Sequence, residues 1–348
     1  MKDIDWLDAL PFQREIVHSS VLRFLLNQDS AGDRQKVVQF VRELTGEQTV
    51  DSVLNPFLEQ RLAPGSRLDL VADLNLADGT ATNLAVEMKV DSAWDWQQLI
   101  KSAPSSAVAV LIAVGLTHLT VRQQELDLLK KENSESANWV VVGPCDLADA
   151  IDNNFKPAAG SYLGRYVDCL RAEAHDHEEA MNDLTANSAV SDRVLLTNGA
   201  RDDANDIGAL QMTAYLANCL KGLDKETNPI WRWSHPPSGP AIIRGFETYS
   251  HGTETKWLSW LEINGNYKAP QLTVKVGRSG AGIRQDRERV VAKLSAAGIT
   301  SGSANERRLS ESRKTATAWT IPIVDYKPYE ITELIKNVDT CLEAETLS

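Results

Sequence analysis

The 348-residue chain is poor in cysteine: it has four, Cys145, Cys169, Cys219 and Cys341, all far apart. That spacing matches neither a zinc-ligand pattern nor the framework of a small disulfide-built scaffold, so reduced thiols of a cytoplasmic protein are expected. Long apolar runs are also missing. No stretch approaches the roughly 18 residues of a membrane-spanning helix, and no membrane association is expected. The first residues, Met1-Lys2-Asp3-Ile4-Asp5-Trp6, are acidic and lack the apolar core of a secretory signal. No phosphate-binding loop of the Gly-x-x-x-x-Gly-Lys-Ser/Thr kind occurs, so any use of ATP would have to come from a partner. Internal repeats are absent. Basic residues are in deficit, 36 Lys and Arg against 48 Asp and Glu, a net charge of −12, which speaks against a general nucleic-acid coat protein. What remains, 43% apolar and 24% charged residues, is the composition of a globular protein long enough for two domains.

The charge is unevenly spread. Residues 1–150 hold 13 basic against 22 acidic residues, whereas residues 250–325 hold 12 basic against 7 acidic. An acidic segment that binds a cation, joined to a basic one that grips phosphate, fits this distribution; a solvated surface of mixed charge fits it too.

The acidic segment contains the most telling pattern. Arg67-Leu68-Asp69-Leu70-Val71 and Ala85-Val86-Glu87-Met88-Lys89-Val90 alternate apolar and polar residues, and Ala77-Asp78-Gly79-Thr80 lies between them. Alternation predicts half-buried strands, and Asp-Gly between two of them predicts a hairpin over about 66–76 and 82–91. Side chains two apart on a strand share a face, so Glu87 and Lys89 project together, with Asp69 beside them if the register allows. A solvated sheet face can carry the same residues without any function. Two carboxylates and an ammonium on one face are also the minimum parts of a magnesium-dependent phosphodiester hydrolase: the carboxylates hold a hard cation, and the lysine orients water or offsets phosphate charge.

Upstream, Phe12 to Leu26 has the apolar spacing of an amphipathic helix and carries Glu15, His18 and Ser19; downstream, Trp94 to Ile100 is expected to be helical and carries Gln98. A helix with Glu-x-x-His-Ser, then a strand Asp, then Glu-x-Lys, then Gln-Leu eleven residues after that Glu, resembles the PD-(D/E)XK nuclease superfamily, in the branch with a Glu-x-x-His-Ser helix. The resemblance covers roughly residues 10–145. One departure is Ser102, where the pattern often has Tyr four residues after the Gln. The resemblance implies an α/β fold with a restriction-endonuclease-like core, a central mixed sheet flanked by helices. It implies Asp69, Glu87 and Glu15 as ligands of Mg2+, with Mn2+ as a substitute, the carbonyl of Met88 as a further oxygen, Lys89 at the nucleophilic water and Gln98 at the water or the phosphate. His18 and Ser19 become candidates for substrate contact, with local hydrogen bonding as the alternative.

Beyond the hairpin, helices are expected at about 33–45, 93–103 and 121–131, and buried strands at about 106–114 and 139–142, with residues 48–62 ambiguous. Further helical patterns start at Asp146 and Tyr162. Residues 173–200 are polar and acidic and are read as a linker between a nuclease-like domain, 1–172, and a C-terminal α+β domain, 201–348; the His175-Asp176-His177 run inside the linker is read as solvated. In the C-terminal part a helix is expected over 204–223. Strands are expected at 241–243, 258–263, 271–276 and 318–324, the last at a sheet edge because of Pro322. Helices are expected at 286–297, stopped by Gly298, and at 331–342. The glycine-rich Gly277 to Arg284 segment is read as a loop whose Arg278 and Arg284 are candidate substrate contacts.

These features lead to a metal-dependent nuclease, with DNA favoured over RNA as substrate. Among bacterial proteins the resemblance implies a part in defence against foreign DNA, as a homodimer or in a complex with other defence proteins. The alternatives are a nuclease-fold protein that binds or regulates without catalysis, and a nuclease subunit active only in a complex.

Overall fold

The computed structural model describes residues 15–27, 30–63, 67–91, 96–121 and 123–187, and further on 231–234, 241–244, 258–264, 271–279, 289, 292–299, 315–322, 330, 333–338 and 340–341. By compactness the chain divides into Met1–Ala180 and Met181–Ser348.

In the first unit the order is α1 (Glu15–Leu26), α2 (Ala31–Thr45), β1 (Val50–Gln60), β2 (Leu68–Leu76), β3 (Ala81–Val90), α3 (Trp96–Ser102), β4 (Val108–Val114), a short 3-10 turn (Gly115–Leu119), α4 (Gln123–Glu132), β5 (Asn138–Val142), α5 (Pro144–Phe155) and α6 (Tyr162–Asn187). The strands form one sheet in the order β1-β2-β3-β4-β5. β1, β2 and β3 pair antiparallel, and β4 and β5 add parallel to β3. This is an α/β fold with a mixed sheet flanked by helices. Antiparallel neighbours need only a tight turn, whereas parallel ones need a crossover, and α3 and α4 supply the two crossovers.

The expected hairpin forms where the Asp-Gly turn placed it. Gly79 sits at φ 83, open to glycine at no steric cost, and the Asp78 carboxylate accepts the Thr80 amide at 2.8 Å. Alternate residues of the sheet, Leu70, Ala72 and Leu74 of β2, Leu84, Val86, Met88 and Val90 of β3, and Val110, Ile112 and Val114 of β4, share one core with α1, α2, α5 and α6. α1 contributes Leu22, Leu25 and Leu26 at helical spacing.

Three expectations change. Residues 48–62, ambiguous in sequence, contain edge strand β1. Pro56, the left-handed Asn55 and Glu59 (φ 49 and 55) and two register irregularities hid its alternation. Residues 173–187, read as linker, are the second half of α6; Tyr166, Leu170 and Ala174 bury one face of that helix, and its polar residues are the other face. Gly277, Arg278 and Ser279 are not loop but the end of a strand, as the second unit shows. Cys145, Cys169 and Cys341 are free thiols.

The described strands of the second unit are β6 (Trp231–Ser234), β7 (Ala241–Arg244), β8 (Leu258–Asn264), β9 (Gln271–Ser279) and β10 (Thr315–Pro322). They form an antiparallel sheet in chain order, with β10, which carries Pro322, at an edge. β6 was not anticipated. Helical residues 292–296 end at Gly298, φ 76, where the Ile299 and Gly298 amides return to the carbonyls of Leu294 and Ser295. The helix expected over 204–223 lies outside the described residues.

Candidate active site

β3 presents two chemistries because its side chains alternate. Leu84, Val86, Met88 and Val90 enter the core; Ala85, Glu87 and Lys89 point to the other face. Pairing of β2 with β3 runs from Asn75/Ala81 to Leu70/Val86. One residue further, Asp69 comes across from Glu87, and its Oδ2 accepts the amide of Met88 at 2.7 Å. The hairpin therefore sets Asp69 beside Glu87 and Lys89, as the alternation required.

Two helices close on this group. Gln98 of α3 donates from Nε2 to Glu87 Oε1 at 2.6 Å. Lys89 Nζ stands 2.8 Å from the same Oε1 and 3.6 Å from Oε1 of Glu15, the first residue of α1. Glu87 is 1% exposed, and its Oε2 is buried with no hydrogen-bond partner. Five sequence-predicted residues, Glu15, Asp69, Glu87, Lys89 and Gln98, thus converge from four elements.

The electrostatics follow from the buried Glu87, the partly buried Asp69 and the partly exposed Glu15 sharing one ammonium. Burial pushes Glu87 up to about 7, Lys89 opposes the shift, and Asp69 and Glu15 add to it. Burial also raises Asp69, against the pull of the Met88 amide. For Lys89 burial works against the charge, but Glu87, Glu15 and Asp69 together outweigh it and raise its pKa, so it stays an ammonium.

An unpartnered buried carboxylate oxygen beside a second carboxylate is a donor set that fits a hard divalent cation. Among the described residues no three His, Cys, Asp or Glu side chains lie close enough together to hold one ion: Asp69 and Glu87 form a pair, and Glu15, expected as a third ligand, meets the group through Lys89. Magnesium commonly takes one or two carboxylates and completes its shell with water or phosphate oxygens, so the pair suits it better than an ion that demands an all-protein cage.

His18 and Ser19 do not reach the surface. His18 is 0% exposed, with Nδ1 2.8 Å from the hydroxyl of Tyr166 on α6, and Ser19 donates to the carbonyl of Glu15 at 3.0 Å. His18 bonds α1 to α6 and Ser19 bonds back within α1, and burial leaves neither open to an incoming strand. Arg278 lies in β9, across from Ala316 of β10. Arg284 lies outside the described residues.

Sequence reasoning missed three participants. Tyr166 is 148 residues from His18, and no local pattern announces the pair. Glu59 and Arg67 form an ion pair at 2.9 Å beside Asp69, legible only once β1 is known to be a strand.

A second polar group lies along α6, in the stretch read as linker. Glu173 is pushed up to about 7 by burial and by Asp91, and one of its oxygens is buried without a partner. His118 Nε2 stands 3.8 Å from Glu178, beyond hydrogen-bond distance, and burial lowers its pKa. His175 lies 3.9 Å from Glu179, on the exposed side of the helix.

No helix among the described residues is long and apolar enough to cross a membrane. Compared with known proteins, the chain matches no protein-family model, no curated protein and no solved structure.

Proposed function

We propose that the chain is a metal-dependent nuclease of the PD-(D/E)XK kind, hydrolysing phosphodiester bonds, with DNA its favoured substrate. The observation that carries this reading is the convergence of Asp69, Glu87 and Lys89 on one sheet face with Glu87 Oε2 left unpartnered. Asp69 and Glu87 would hold the cation, with Glu15 one side chain away across Lys89. The ion, when bound, supplies Lewis acidity and a lowered pKa for water. The chain's own part is positional and electrostatic. Gln98 and Lys89 fix one Glu87 oxygen and so aim the other. Lys89, kept charged by its carboxylate neighbours, offsets charge that builds on a phosphate and can donate to the attacking water. A role in defence against foreign DNA and action as a homodimer or within a larger complex are further parts of this proposal, resting on the motif resemblance alone.

The test is cleavage of supercoiled plasmid by the full chain in magnesium, manganese or EDTA. Metal-dependent nicking that Glu87→Ala and Lys89→Ala both abolish is the expected result. Intact plasmid in every metal, together with no metal binding by calorimetry, would reduce the fold to a non-catalytic scaffold.

A further inference from the structure

The face that carries Asp69 continues past the candidate site onto the edge strand. Phe57 of β1 pairs with Val71 of β2, two residues from Asp69, so Phe57 projects on the Asp69 side. It is 52% exposed, and Leu54, across from Asp73, is exposed beside it. The register between Leu58/Leu70 and Gln60/Leu68 places Glu59 across from Asp69. Glu59, Asp69 and Glu87 therefore lie in one row over three adjacent strands. Glu59 does not stand alone: its carboxylate holds Arg67 Nη1 at 2.9 Å, and both side chains are 58% exposed. Arg67 is two residues before Asp69, at the same end of β2.

We infer that Phe57 and Arg67 hold a single strand of nucleic acid against the candidate active site, Phe57 by stacking on a base and Arg67 by binding a backbone phosphate. This rests on the nuclease reading and names the substrate class for it. A guanidinium carries five donors in a rigid fork. Glu59 takes one nitrogen and sets the orientation, and the rest of the fork is at the surface. Asp73, the next carboxylate on this face, accepts from Asn55 and Asn83 at 2.8 and 3.1 Å, so its oxygens are engaged away from Arg67. A paired duplex keeps its bases stacked on each other, whereas an unpaired strand offers a base to the ring. A protein strand is the poorer occupant. Pro56, the left-handed Asn55 and the irregular register between Leu54 and Phe57 break the edge as a template for strand addition, and such a bulge re-aims side chains.

The experiment is fluorescence anisotropy on the full chain, with calcium in place of magnesium, using labelled oligo(dT) and a duplex of equal length, each checked by gel for integrity. Oligo(dT) should bind more tightly than the duplex. Phe57→Ala should weaken oligo(dT) binding roughly 5- to 100-fold, with Phe57→Trp restoring it. Arg67→Ala should weaken it and flatten the slope of log affinity against log salt by about 0.7, the share of one single-strand phosphate. Both positions are exposed, so thermal melts of the variants should match wild type. Variants that bind oligo(dT) as wild type does, or a duplex bound as tightly as oligo(dT) and indifferent to Phe57→Ala, overturn the inference. Plasmid cleavage separates the two readings. Nicking with unchanged oligo(dT) binding in both variants refutes the strand-binding face alone. Binding that depends on both residues, with neither plasmid nor oligo(dT) cut in magnesium or manganese, refutes hydrolysis and leaves that face standing.

Discussion

Glu87 on β3 and Glu173 on α6 share two properties. Each carboxyl is pushed up to about 7, chiefly by burial, and each keeps one buried oxygen with no hydrogen-bond partner. They differ in their surroundings. Glu87 meets an ammonium and an amide donor from two elements, with Asp69 on the neighbouring strand. Glu173 meets Asp91, a like charge. A perturbed carboxyl alone therefore does not mark a site, since burial beside another acid gives the same acidity. Converging counter-charge and donors are what single out Glu87.

The largest expected effect tests that distinction directly. Glu87→Gln should lower metal-dependent cleavage by about 10³-fold or more, some 4 kcal/mol of barrier, while Glu173→Gln stays within a few-fold of wild type in the same plasmid assay. Equal losses would mean that α6 belongs to the site. Next in size is the buried ion pair. Lys89→Met leaves Glu87 and Asp69 facing each other without a cation, at a cost of about 3 kcal/mol of stability by denaturant unfolding; the low end of the range for a broken buried pair applies because Glu87 can take up a proton. The double substitution Glu87→Met/Lys89→Met should recover most of that loss while remaining inactive, as replacement of a buried pair by apolar side chains commonly does. A double variant no more stable than the single one would mean that the loss in Lys89→Met comes from packing and not from an unpaired buried carboxylate.

The site was legible in sequence to the extent that it is local. The Asp-Gly turn and period-two alternation fix the hairpin, and the hairpin brings Asp69 to Glu87 and Lys89. Gln98 and Glu15 were placed by the spacing of a motif, not by any physical rule about where α1 and α3 pack. What sequence concealed depends on distant register or on composition that two structures share. β1 was obscured by Pro56 and by the left-handed Asn55 and Glu59. Without β1 the Glu59–Arg67 pair cannot be drawn. The second half of α6 looked like a linker because a helix with one buried stripe and a solvated chain have the same acidic, polar composition.

The two glutamates also predict a pH dependence. Both have folded-state values raised above the ordinary 4.5, so between that value and about 7 the folded chain keeps protons that the unfolded chain releases. Stability therefore falls as pH rises through this window and is fuller below it. In thermal melts between pH 4.5 and 8, Glu173→Gln should make the decline shallower, at roughly 2–4 °C of Tm for each kcal/mol recovered. Magnesium should act on the shares of Glu87 and Asp69 and leave that of Glu173, because a bound cation favours the carboxylate: it should flatten the decline in wild type and in Glu173→Gln, and much less in Glu87→Gln, which keeps only the Asp69 ligand. A flattening as large in Glu87→Gln as in wild type would move the cation elsewhere.

The smallest effect concerns how α1 is held. Leu22, Leu25 and Leu26 bury its inner side whether or not Tyr166 meets His18, so the hydrogen bond is not what docks the helix. It can fix the rotation of α1, and Glu15 lies one turn before His18 and 3.6 Å from Lys89. Tyr166→Phe removes only the hydroxyl and leaves the ring packed, so the cost should be about 1 kcal/mol, the usual net worth of one hydrogen bond, rising toward 2 if the His18 nitrogen finds no other partner. If that bond sets the position of Glu15, the variant should lose kcat by more than its stability loss explains, with KM unchanged, and its cleavage should need more magnesium. A fall in stability with kcat and metal requirement intact would reduce the pair to packing and leave Glu15 positioned by the apolar face of α1 alone.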